Sequence, residues 1–77
     1  SEKERMEEFM FLALRRTRGI SLRRFREQFG RGLREVYGAA LGKLEREGLI
    51  AFSEDGKRLR LTARGIDVSN YALAEFL

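Results

Sequence analysis

The hydrophobic spacing of this chain changes period at Gly48, and that change limits the folds open to it. Before Gly48, Leu33, Val36, Tyr37, Ala40, Leu41 and Leu44 recur at helical spacing, with Arg34, Glu35, Lys43, Glu45 and Arg46 off the stripe. This is the strongest periodic signal in the chain. After Gly48, Leu49-Ile50-Ala51-Phe52 is a short apolar run, and Leu59 and Leu61 alternate with Arg58 and Arg60 beyond Glu54-Asp55-Gly56. That pattern predicts a β-hairpin turning at Asp55-Gly56.

Two more helices are predicted upstream. Met6, Phe9, Met10, Ala13 and Leu14 form the apolar stripe of a helix over roughly 3–16, with Glu4, Glu7, Glu8 and Arg15 on its other side. Gly19 ends the turn that follows, and Ser21 is placed to N-cap a short helix whose face is Leu22, Phe25 and Phe29 and which closes at Gly30. The third helix then starts near Gly32 and stops with Gly48 as a C′ glycine. Thr62 is an N-cap candidate for a final helix carrying Ile66, Leu73 and Leu77, with Tyr71, Ala74 and Phe76 nearby. The expected class is mainly α with a small β-hairpin, winged-helix-like: three helices, a two-stranded wing and a C-terminal helix in one domain over residues 1–77.

Such a domain is small, since a chain of this size buries only about 60% of the surface its unfolded form exposes. Hydrophobic residues at 43% and charged ones at 36% fit a folded globular chain rather than a disordered one. No apolar run reaches the roughly 20 residues of a membrane span, there is no signal-peptide pattern, and a cytoplasmic setting is expected. With neither Cys nor His, the chain lacks the usual ligands of zinc, iron–sulfur clusters and haem, and the usual nucleophile–base pairs. The isolated chain is therefore expected to hold no cofactor and to catalyse nothing. Met6 and Met10 read as core filler rather than thioether ligands. Tyr37 and Tyr71 are expected to pack their rings in the core with the hydroxyls at its edge. Gly30-Arg31-Gly32 lacks the strand, glycine and lysine of a phosphate loop and reads as a helix–helix turn.

Charge is the remaining signal. Arg15, Arg16, Arg18, Arg23, Arg24, Arg26, Arg31 and Arg34 face a single acid, Glu27, so residues 15–34 carry +7 in a chain whose net charge is +4. These eight arginines are the candidate interaction surface. A solvated face, a protein-docking face and a nucleic-acid face all fit the composition. Against specific DNA reading, the third helix offers Glu35, Glu45 and Glu47 beside Arg34, Lys43 and Arg46, which leaves few side chains to reach base edges.

A set of local patterns in fixed order carries a resemblance. Glu7 to Arg15, Gly19-Ile20-Ser21, Phe25, Phe29-Gly30, Leu44 to Leu49, Leu59 to Gly65, Ser69-Asn70 and Phe76 together resemble the C-terminal domain of oxygen-independent coproporphyrinogen III oxidase-like radical SAM proteins, over about residues 5–77. The Glu-Glu-Phe-Met at 7–10 and the closing Ser-Asn with Phe-Leu lean towards the haem-chaperone-like subgroup. The resemblance implies a non-catalytic accessory domain of a protein of haem (porphyrin) biosynthesis or haem handling. In such a parent a barrel binds a 4Fe–4S cluster and S-adenosylmethionine, and this domain packs against the barrel and near the tetrapyrrole and its propionates. Starting at Ser1 without an initiator Met, the chain reads as a C-terminal fragment of that larger protein. The competing expectation is a free-standing winged-helix nucleic-acid-binding domain.

Overall fold

The computed structural model describes residues 1–77. Helix α1 spans Glu2–Leu14, strand β1 Ile20–Ser21, α2 Leu22–Phe29 and α3 Leu33–Arg46. Strands β2 (Ile50–Phe52) and β3 (Arg58–Leu61) follow, then α4 (Ala63–Asp67) and α5 (Ser69–Ala74). The molecule is mainly helical with a small antiparallel sheet, in the order of three helices and then a hairpin that the sequence predicts.

The helix ends are set by local chemistry. Ser1 and Glu4 form a reciprocal capping box at the start of α1. The Ser21 hydroxyl accepts from the Arg24 N–H to start α2, which stops at Gly30 in the left-handed conformation. Helix α3 ends in a Schellman motif: the Gly48 N–H donates to the Glu45 carbonyl and the Leu49 N–H to the Leu44 carbonyl, both at 3.0 Å. Gly48 has φ +75°, so the glycine is required by the turn that brings Leu49 into the core.

Sixteen buried apolar side chains make one core, with no buried charged or polar side chain among them. Met6, Met10 and Leu14 of α1 lie inside it, as their spacing implies. An aromatic chain runs through its centre. Phe25 of α2 meets Phe9 at 5.4 Å, Phe29 at 4.8 Å and Tyr37 at 6.3 Å, and Tyr37 meets Phe76 at 5.2 Å, so the ring contacts tie α1, α2 and α3 to the C-terminus.

Three expectations need correction. The sheet has three strands in the order β1-β3-β2, with Ile20 opposite Leu59 and Ser21 opposite Arg58, so the wing is joined by a strand from the α1–α2 connection. Two residues are too few to show a period, and their pairing is long-range. The final helix is broken: Val68 takes φ −121°, ψ 39°, which separates α4 from α5. With that break Ile66 and Leu77 leave the core, at 63% and 68% exposure. Tyr37 packs as expected, whereas the Tyr71 ring is 45% exposed and its hydroxyl donates to the Glu47 carboxylate at 2.9 Å.

Thr62 fixes the exit from the hairpin. Its hydroxyl donates to the Gly48 carbonyl at 2.6 Å and accepts from the Gly65 N–H at 3.1 Å, while its own N–H donates to the Leu49 carbonyl at 2.9 Å. One residue thus caps α4 and clamps it to the end of α3.

Candidate functional site

All eight sequence-predicted arginines are exposed, but the fold separates them by what their guanidiniums touch. Four are engaged within the domain. Arg34 lies 4.1 Å over the Phe52 ring and Arg15 5.9 Å over the Phe11 ring. Arg31 pairs with Glu35 at 3.1 Å and Arg23 with Glu27 at 3.5 Å, each one helical turn away. Arg26 has no ion pair, and it lies beside Gly32 at the α2–α3 turn, apart from the hollows described next.

The other three, Arg16, Arg18 and Arg24, make no ion pair and gather around a residue outside the predicted set, Arg58. Arg16 and Arg24 line a groove of about 290 Å³ together with Arg5 and Arg58. Its walls come from three elements. On α1, Arg5, Phe9 and Leu12 follow one another at i, i+4 and i+7, and Arg16 continues that line just past the C-cap Arg15. Arg24 and Gln28 face them from α2, and Arg58 enters from β3. The floor is apolar: Phe9 and Ala13 are half-buried, and Leu12 is 57% exposed. Glu8 is the one acid in the lining.

Arg58 also borders a second concavity with Arg18, Arg60 and the hydroxyl-bearing Thr17 and Ser53. There its Nε donates to the Arg18 carbonyl at 3.3 Å, which holds the guanidinium between the two hollows. A third hollow at the hairpin tip joins Arg58 and Lys57 to Arg23 and Asp55. The Asp55 carboxyl is held below the usual carboxylate range, first by the Ser53 hydroxyl and then by the Lys57 N–H.

Sequence reasoning missed Arg5, Arg58 and Arg60 because they lie outside the arginine-dense segment. Two signals point to them. The alternation Arg58-Leu59-Arg60-Leu61 puts both arginines on the outer face of the sheet once Leu59 and Leu61 are buried, and Arg5 falls in the stripe of Leu12. Chemically the arrangement suits anions: unpaired guanidiniums of planar, bidentate geometry around a partly apolar floor. No three or more acidic side chains converge to hold a metal ion.

Comparison with known proteins places the chain in a family. The model described as the HemN C-terminal domain matches residues 1–68. A heme chaperone HemW of Bacillus subtilis (strain 168) is 40% identical over 75 residues, which cover 97% of this chain and 19% of that protein. A heme chaperone HemW of Lactococcus lactis subsp. lactis (strain IL1403) is 30% identical over 77 residues, covering 100% of this chain and 20% of that protein. The chain therefore spans about a fifth of the length of these curated relatives. No solved structure gives a significant match.

Proposed function

The chain belongs to the HemN C-terminal domain family, and on that premise we propose that it is the non-catalytic accessory domain of a larger radical SAM protein of haem handling, of the heme-chaperone kind. In this reading the parent holds the 4Fe–4S cluster and S-adenosylmethionine in another part, and this domain packs against that catalytic part through its arginine face. Propionates of a tetrapyrrole near the boundary are a second set of carboxylates that the same arginines suit. The heme-chaperone lean rests on the two HemW relatives, and the setting expected for such a parent is cytoplasmic.

The observation that carries the reading is the pooling of unpaired arginines round Arg58 on one side of a domain that matches relatives about five times its length. Like charges so placed repel one another over the roughly 8 Å that salt leaves unscreened, and an acidic partner surface relieves that repulsion. Nucleic-acid binding is the weaker alternative. Two of the three cations of α3 are turned to internal partners, Arg34 to Phe52 and Lys43 to Glu75 at 3.0 Å, which leaves only Arg46 free for a base-reading role.

Calorimetric titration of the chain against the remainder of its parent protein tests the reading. Association in trans that weakens between roughly 50 and 200 mM salt is expected, with duplex DNA binding more weakly under the same conditions. Tight DNA binding without association with the parent contradicts it.

A further inference from the structure

The groove on Leu12 has two properties that a purely electrostatic surface does not need. Its floor includes a leucine more than half exposed beside Phe9 and Ala13, and its rim holds the guanidiniums of Arg5, Arg16, Arg24 and Arg58 without an ion pair. Isolated exposed apolar residues are ordinary, but one ringed by unpaired cations in a concavity defines a mixed chemistry. We infer that this groove docks an acidic polypeptide segment of the parent protein, one that seats an apolar side chain on Leu12 and places carboxylates on Arg16, Arg24 and Arg58.

The inference rests on the accessory-domain reading and specifies its contact. About four fifths of the length of the relatives lies outside this chain, so a segment of the same polypeptide is available as the occupant. Charge complementarity selects acids, since Glu8 is the one carboxylate in the lining. The groove volume of about 290 Å³ sits at the lower end of ligand sites, room for one or two side chains. A nucleic-acid strand fits less well. Its phosphates have no use for the Leu12 floor, Glu8 repels them, and the groove's aromatic ring, Phe9, is already engaged edge-on with Phe25 and Phe29.

The chain, isotopically labelled, is titrated with three probes: a blocked peptide of glutamates flanking a central leucine, a glutamate-only peptide of equal length, and a DNA duplex. The leucine peptide is expected to move the amides of Leu12, Ser21, Arg24 and Arg58, and to bind about tenfold more tightly than the glutamate-only peptide. Changing Leu12→Ser removes that difference, and Arg16→Glu with Arg24→Glu abolishes binding of both peptides. These side chains are exposed, and unchanged amide dispersion verifies the fold of each variant. Equal binding of the two peptides, shifts located elsewhere, no binding of either, or preference for the duplex each overturns the inference. Association with the parent in trans without peptide binding removes this groove assignment alone, whereas loss of association in trans removes the accessory-domain reading.

Discussion

Gly65 lies so close to Leu49 that a methyl group on its α-carbon would stand 2.0 Å from the Leu49 carbonyl oxygen. That carbonyl already accepts the Thr62 N–H, so it cannot move aside without breaking the hairpin exit. Gly19 has the same relation to the Leu59 carbonyl, also 2.0 Å, and adds a φ of +72°. These two contacts explain in physical terms why glycine stands at both positions in the patterns that carry the family resemblance.

Gly19→Ala is therefore expected to cost most, about 4–5 kcal/mol, because the left-handed penalty adds to the clash, and Gly65→Ala about 3 kcal/mol, the upper end of overpacking. Gly30→Ala meets nothing within 4 Å and carries only the left-handed penalty, about 1 to 2 kcal/mol. Thermal unfolding followed by circular dichroism should rank them in that order, at roughly 4–8 °C per kcal/mol for a domain of this size. Equal losses would show that close approach is not what these glycines serve.

Thr62→Val keeps the shape of the side chain and deletes both hydroxyl bonds, leaving the Gly48 carbonyl and the Gly65 N–H without that partner. A loss of about 1–2 kcal/mol is expected in denaturant titration. Thr62→Ser should recover most of it.

Stability should fall at alkaline pH, with Lys43 and Tyr37 among the groups responsible. The Lys43 ammonium is held above its usual range, first by its hydrogen bond to Glu75, and burial raises the Tyr37 phenol, with Glu7 adding to the effect. For both, the folded state keeps its proton to higher pH than the unfolded state does. Their contribution is thus complete below the unfolded values near 10 and is lost as pH rises through the folded ones. In unfolding curves recorded from pH 8 upward, Tyr37→Phe and Lys43→Met should each flatten the decline. Asp55 acts in the opposite range, because its lowered pKa makes the hairpin tip weaken as pH falls through the folded value.

Arg34→Gln removes a guanidinium stacked on Phe52 and should cost about 0.5–1 kcal/mol in stability. Binding of acidic peptides should remain unchanged, because Arg34 is outside the Leu12 groove. Calorimetry on the folded variant reads both quantities.

Much of this architecture was legible locally. The Ser21 and Thr62 caps, the glycines at 30 and 48 and the turn at Asp55-Gly56 each act through neighbours a few residues away, and each is where its sequence signal puts it. What was not legible is long-range. Strand β1 exists because Ile20 meets Leu59, and the C-terminal helix breaks at Val68, with apolar Ile66 before the break and Leu77 at the end of the chain both pointing to solvent. The arginine cluster shows the same divide. Density in sequence marked Arg15 to Arg34, but partners one turn away engage Arg15, Arg23 and Arg31, the Phe52 ring engages Arg34, and chain reversal brings Arg5 and Arg58 to the groove from elements far apart in sequence.

The most direct measurement is the affinity of the chain for the remainder of its parent protein in trans, before and after charge reversal at two separate sets of arginines. Reversal of Arg16, Arg24 and Arg58 to Glu is expected to weaken association by at least about two orders of magnitude, given roughly 1.5–3 kcal/mol for each charge-assisted contact. Reversal of Arg26 and Arg31 should change it by less than about threefold. Equal effects from the two sets, or no effect from the first, would contradict the assignment of the Arg58 surface as the face by which this domain serves a larger protein.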